Sequence, residues 1–584
     1  MTMLNSKHVI VVLLLIAGLG ACSSKPEHSD PKLTIISVIG TNDLHGAILP
    51  VDGYGGLGVF SGYVNNLRAR HAADGGAVML IDAGDMWQGT LESNLGEGAA
   101  VVQAYNALGY DAATIGNHEF DYGPTGPQST PTSESDDARG ALKARIAEAN
   151  FPVLSANLID ENTGKPVDWT NTSPSAMVDV AGISVGIVGV ITRGAFARTH
   201  SLNIKGLRID PLVSSIQREA EQLRRNGATV VIVTAHAGSA CREFLDPDDL
   251  DSCLMEGEIL QVAQQLPAGL VDIIVAGHVH KGIAHNINGI SVISSYSRGT
   301  AFGRVDLAVD RVQMAITNRS VFPPEAICEF RAEGSTDCSD DPQTSPRARY
   351  AGAVIARDKN IEAAIAPAIA NVKQYKERKL PIVVEPGFTR STTPESALGN
   401  LLTDAILESA ADADVAIHNA VGGIRANLTP GPLTYGSIYE VFPFDNRMVM
   451  LTISAAELRA VFANQFRKRR WDASVAGLSV AAECRGSELV VSMYRSNGSS
   501  VADQEQLLIA TTDFVATGGD NIFTPIMPPG GFAIDPDAPL FRHNLVAWFS
   551  KLEGSLRLTD FYDPAAPRFD LPGPTPITCT GDAT

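Results

Sequence analysis

Short apolar runs separated by polar, glycine-containing turns set the pattern of the first half of the chain. LTIISVI (33–39), VMLI (78–81), DAATI (111–115), TVVIV (229–233) and VDIIV (271–275) are rich in β-branched and aliphatic residues and predict buried strands. Among them, PLVSSIQREAEQLRRNG (211–227) places Leu212, Ile216, Ala220 and Leu223 on one stripe, as an amphipathic helix requires. Strands alternating with helices predict an α/β layer fold. Two stretches of loop composition interrupt it, PTGPQSTPTSESDDARG (124–140) and CREFLDPDDLDSC (241–253). Rimming a cleft and solvated decoration are both open to them.

A first α/β unit is expected over 33–342. From Thr344 the sequence turns polar and then helical, with Ile361, Ile365, Ile369 and Val372 on one face and Pro367 expected to kink the helix. The span 343–379 is therefore expected to link two domains. A second α/β unit follows over 380–560, and a proline-rich tail closes the chain at 561–584. A chain of 584 residues is too long for one core, so at least two domains are expected.

Each of the five apolar runs leads into a polar motif. These are TNDLHG (41–46), AGDMWQG (83–89), IGNHEFD (115–121), TAHAG (234–238) and AGHVH (276–280). Asp43, His45, Asp85, Asn117, His236, His278 and His280 thus fall just past the carboxyl ends of predicted strands, the edge at which α/β sheets gather ligands. In extended chain, Asp43 with His45 and His278 with His280 would share a face about 6 to 7 Å apart. That span suits two metals about 3.5 to 4 Å apart, with Asp85 placed to bridge them. Imidazole, carboxylate and amide donors without cysteine suit two divalent ions from zinc, manganese, cobalt and iron, and argue against a closed structural zinc site. Singly, each motif is more often loop chemistry than a ligand pair; five in this order point to a dinuclear phosphoesterase.

On these motifs the chain resembles the bacterial 5′-nucleotidase and UDP-sugar hydrolase family of calcineurin-like metallophosphoesterases. The resemblance implies a four-layer metallophosphoesterase sandwich joined by a linker helix to a C-terminal α/β substrate-binding domain. It implies one ion held by Asp43, His45, Asp85 and His280, and a second held by Asp85, Asn117, His236 and His278. Within NHEFD it implies that His118 and Asp121 form a dyad for the phosphoryl transition state, the carboxylate keeping the imidazole protonated and oriented. In GGIR (422–425), FPFDN (442–446) and FVATGGD (514–520) it implies Arg425 as a phosphate clamp, Phe444 and Phe514 as walls of a base-stacking slot, and Asp520 as an acceptor for base or ribose. Asn419 stands one position from where family members carry an asparagine, and STTPESALGN (391–400) lacks a phosphate-contact arginine for which Arg390 could substitute. The activity implied is metal-dependent release of phosphate from nucleotides, with a 5′-nucleotidase foremost. A 2′,3′-cyclic phosphodiesterase, a nucleotide-sugar pyrophosphatase or a sulfur-ester hydrolase would share the metals. A surface lipoprotein that binds without turnover is the reading from another class.

The first 21 residues carry Lys7, an apolar stretch from Val9 to Leu19 and small residues before Cys22, the pattern of a secretory signal. LGAC resembles a lipobox, so Cys22 is expected to be acylated, with 22–32 as a tether to the cell envelope, outer membrane included. The remaining six cysteines suit an oxidising compartment, and sequence proximity suggests Cys241 with Cys253, Cys328 with Cys338 and Cys484 with Cys579, other connectivities remaining open. The net charge of −20 disfavours a nucleic-acid polymer as partner and leaves a small nucleotide as the expected one. Oligomeric state is not legible.

Overall fold

The computed structural model describes residues 32–580 apart from 392, 394, 411, 530, 536 and 537. Cys22 and most of the expected tether lie outside the described residues. The apolar runs form the strands expected of them, divided between the two sheets that a four-layer sandwich requires. Leu33–Thr41, Ala77–Asp82 and Ala112–Thr114 run parallel in a seven-stranded sheet, whereas Val230–His236 and Ile273–Ala276 run parallel in a six-stranded one. Ile36, Val38, Met79 and Ile81 of the first meet Ile187, Ile232, Ile273 and Ile293 of the second in a dry interior. Helices close both outer faces. Leu57–Asp74 and Ala99–Leu108 cover the first sheet, while Leu212–Arg225 and Glu258–Gln265 cover the second. The result is a four-layer sandwich, with Leu212, Ile216, Ala220 and Leu223 buried as the helical stripe requires.

The helix Lys359–Lys376 leads into the second half. It is an unbroken span through Pro367, with Ile361 and Ile365 packed on the first core. Lys376 near its end reaches Glu92 at 2.9 Å and Glu440 at 3.2 Å, so its last turn touches both halves. The second half centres on a four-stranded sheet ordered Met448–Ser454, Gln506–Thr512, Val415–Asn419 and Ala473–Ala476. The proline-rich tail is tied to it: Phe569–Asp570 adds a parallel strand beside Val480 and Ala481, and Cys579 is bonded to Cys484. Cys241 with Cys253 and Cys328 with Cys338 form the other two disulfides. No helix among the described residues is long and apolar enough to cross a membrane.

Candidate metal centre and substrate cleft

All seven candidate ligands converge where the two sheets open at their carboxyl ends. The extended geometry expected for the ligand pairs is not what places them. Asp43, His45, Asp85, His278 and His280 have φ between 50° and 74°, a left-handed backbone that non-glycine residues adopt at a cost of about 1 to 3 kcal/mol. Tight turns therefore aim these side chains back over the strand ends. His236 differs again, being the last residue of its strand. Gly116 makes the crowding workable, because a Cβ there would lie 2.2 Å from Asp85 Oδ1.

Two groups of donors form around Asp85. Asp43, His45 and His280 make one, and Asp85, His236 and His278 another, while Asp85 also stands with His45 and His118. Backbone carbonyls fix the histidine tautomers. His236 Nδ1 lies 2.8 Å from Ala83 O and His45 Nδ1 lies 2.9 Å from Gln88 O, so each donates there and turns its Nε2 lone pair inward. His236 Nε2 then faces Asp85 Oδ2 at 3.2 Å, Asn117 Oδ1 at 3.2 Å and His278 Nδ1 at 3.1 Å. His45 Nε2 faces His280 Nε2 at 3.0 Å, and His280 Nε2 faces Asp43 Oδ1 at 3.3 Å. Lone pairs aimed at lone pairs inside a buried cluster fit cations, so this donor set suits divalent metals. The same carboxylates that would attract a cation attract a proton in its place. Burial disfavours a charged His236, yet the Asp85 and Asp43 carboxylates outweigh it and push the ring up to about 10, whereas burial and the neighbouring His236 drive His278 down to about 3.

His118 and Asp121 meet at 2.6 Å through Nδ1 and Oδ2 on a short 3-10 turn, as the dyad expectation requires. Burial opposes charge on His118, but Asp121 and Asp85 raise it above the ordinary histidine range. Its ring lies 6.0 Å from that of Phe444, which belongs to the other half of the chain. A cavity of about 550 Å³ joins the halves and is lined by His118, His280, Arg425, Phe444, Phe514 and Asp520. Asn419 lines it too, donating to Asp520 Oδ2 at 2.8 Å, so the shifted asparagine still faces the cleft. Phe514 lies flat against Gly519, where a Cβ would come within 2.3 Å of the ring. Asp520 is held at φ 51°.

Two supporting residues escaped the sequence reading. Glu119 accepts backbone N–H bonds from Asp85 at 2.8 Å, Met86 at 2.7 Å and Gly116 at 2.7 Å, tying two ligand loops together. Asn42 donates to Asp43 Oδ2 at 2.7 Å and to Tyr296 O at 2.8 Å. Both sit inside the motifs, but their role depends on loops distant in sequence. The segment 124–140 is more than decoration, since Ser129 lines the cavity.

A family model for calcineurin-like phosphoesterases matches residues 36–282, and one for the 5′-nucleotidase C-terminal domain matches 370–527. The chain belongs to the 5′-nucleotidase family of calcineurin-like metallophosphoesterases. It is a hydrolase of that family, whose fold implies divalent metal ions. The Bacillus subtilis protein Endonuclease YhcR is 26% identical over 501 residues, covering 84% of this chain but 38% of that relative. Protein UshA of Yersinia enterocolitica is 26% identical over 512 residues, covering 83% of this chain and 86% of the relative. The crystal structure of a 5′-nucleotidase precursor from Thermus thermophilus shares the fold with a TM-score of 0.70 at 23% identity, over 92% of this chain and 99% of that one. Nucleotide phosphoester hydrolysis is the activity the family supports for the chain.

Proposed function

We propose that the chain is an exported, lipid-anchored 5′-nucleotidase that releases nucleoside and phosphate outside the cytoplasm. One observation carries this reading: a single cavity is lined by the metal-type cluster and dyad from the first half and by Arg425, Phe444, Phe514 and Asp520 from the second. Asp43, His45, Asp85 and His280 would hold one divalent ion, and Asp85, Asn117, His236 and His278 a second. When bound, such ions supply charge neutralisation of phosphoryl oxygens and lower the pKa of a water toward neutrality.

The protein's own groups do the rest. Asp121 holds the His118 proton at Nδ1 and leaves Nε2 to donate toward charge developing on a phosphoryl oxygen. Arg425, with its planar fork, grips the same group. Phe444 and Phe514 provide apolar faces for the base, and Asp520, held by Asn419, accepts from a hydroxyl or amine beyond it. Enclosure by both halves limits water around the reacting ester. The LGAC motif ending at Cys22 supports the lipid anchor.

A second substrate class draws support from the charge on the cleft wall. Arg390 and Arg425 pair with no carboxylate among the described residues, and Arg198 and Arg470 stand 4.0 and 3.7 Å from theirs. Four guanidiniums exceed what one phosphate needs, which favours a nucleotide sugar or another nucleotide with two phosphates. Phosphate release from AMP, UMP and an aryl phosphate, and formation of UMP with glucose 1-phosphate from UDP-glucose, each with chelator and metal add-back, test both. Chelator-sensitive turnover of monophosphates is the expected result, faster turnover of UDP-glucose would establish the second class, and turnover of aryl phosphate alone would sink the nucleotide slot.

A further inference from the structure

The segment Phe442–Asn446 carries the Phe444 wall, yet much of what holds it comes from the other half of the chain. Pro443 O accepts from Gln88 Nε2 at 2.9 Å and from Asn94 Nδ2 at 3.1 Å. Two residues on, Asp445 O accepts from Ser129 Oγ at 3.1 Å, and Arg447 Nη2 donates to the adjacent Gln128 Oε1 at 2.7 Å. Between them, Phe444 O accepts from Arg542 Nη1 at 2.9 Å, a contact within the second half. Three successive carbonyls are thus engaged, two of them by the metal-bearing half.

The amide orientations are not arbitrary. Asn94 Oδ1 is occupied by Gly89 N at 2.9 Å and the Tyr122 hydroxyl at 3.0 Å, which leaves Nδ2 as the group that faces Pro443. Gln88 holds both ends of the site at once. Its backbone carbonyl fixes the His45 tautomer, and its side chain fixes the carbonyl preceding Phe444. The Phe444 ring stands 6.0 Å from both the His118 ring and the Arg425 guanidinium, so a shift of the wall moves a stacked base relative to the dyad. Positional errors of about 1 Å are enough to cost a large part of the rate.

We infer that Gln88 and Asn94 are positioning residues that set the Phe444 wall in register with the metal centre, with Ser129 of the 124–140 segment as a third support. The inference rests on Phe444 being a wall of the nucleotide slot. It gives that segment a task and makes the slot complete only when the two halves are in contact.

The test uses the full-length chain with Gln88→Ala, Asn94→Ala, the double variant, and the near-isosteric Gln88→Glu and Asn94→Asp, which keep size but lose the donor. kcat and KM are measured for AMP and an aryl phosphate, and adenosine affinity is measured by calorimetry, which needs no turnover. In the double variant, selectivity for AMP over aryl phosphate is expected to fall about tenfold or more, as two lost hydrogen bonds imply. The loss should sit in KM, adenosine affinity should fall in step, and the Glu and Asp variants should resemble the alanine ones. Equal losses on both substrates, or wild-type selectivity in the near-isosteric variants, would overturn the inference. Phe444→Ala separates the premises: an unchanged selectivity ratio there removes the slot reading itself, and with it anything for Gln88 and Asn94 to position.

Discussion

The Arg425 guanidinium reaches 3.1 Å from His45 Nε2, joining residues 380 positions apart. Arg425 makes no ion pair with a carboxylate among the described residues, and burial together with Arg390 and Arg298 pushes it down to about 10. A buried cation beside inward-facing lone pairs is arranged for an anion that arrives with the substrate. Arg425→Lys, which keeps charge but loses the fork, is expected to lower kcat/KM for AMP by about tenfold, and Arg425→Ala by more. Steady-state kinetics on both variants check this.

The dyad carries a sharper expectation. His118→Asn and Asp121→Asn should each lower kcat by about 10² to 10⁴ while leaving bound-metal content unchanged, because in the proposed function the pair acts on the phosphoryl group rather than on the ions. Metal analysis alongside kinetics decides; a parallel fall in metal content would make His118 a ligand instead.

Chelation should do more than abolish turnover. Without cations, the buried His236 is held only by Asp85 Oδ2 at 3.2 Å and His278 Nδ1 at 3.1 Å, contacts that bound cations would replace. Free metal at about 100 times its Kd is expected to stabilise the fold by about 2.7 kcal/mol, read as a higher melting temperature that chelator reverses.

Glu119 ties the ligand loops. Glu119→Ala strands the buried backbone N–H groups of Asp85, Met86, Trp87 and Gly116, each costing about 1 to 3 kcal/mol. A lower melting temperature and a loss of metal are expected together, and Glu119→Asp, whose shorter reach cannot span both loops, should rescue neither fully.

The strands and ligand types were legible because apolar runs and polar motifs are local. The way the ligands are aimed was not, since positive φ at Asp43, His45 and Asp85 is imposed by turns that the spacing of Asp-x-His does not reveal. The resemblance implied the two-sheet layering, but which strand joins which sheet could not be read from the runs, because both sheets bury similar aliphatic residues. Phe444 and Phe514 were found through their motifs, whereas Gln88 and Asn94 meet Pro443 only in three dimensions.

His418 offers a pH test away from the metal centre. It is fully buried, both ring nitrogens lack partners among the described residues, and burial drives it down to about 3. A depressed folded-state pKa means stability is complete above about 6.5, the unfolded value, and is lost as pH falls toward 3. His418→Leu should therefore gain on the wild type progressively across that window. Melting temperatures of the two proteins from pH 7 to pH 4 measure the difference, and parallel curves would refute it.

The strand Leu33–Thr41 begins beside the Asp310–Ala315 hairpin and ends where the Asn42–Asp43 turn starts. Nine residues at about 3.3 Å each separate the two by roughly 30 Å. A pull applied at Leu33 would therefore be taken up at the pole of the first half opposite the ligand turns, a full strand's length from the metal-type cluster.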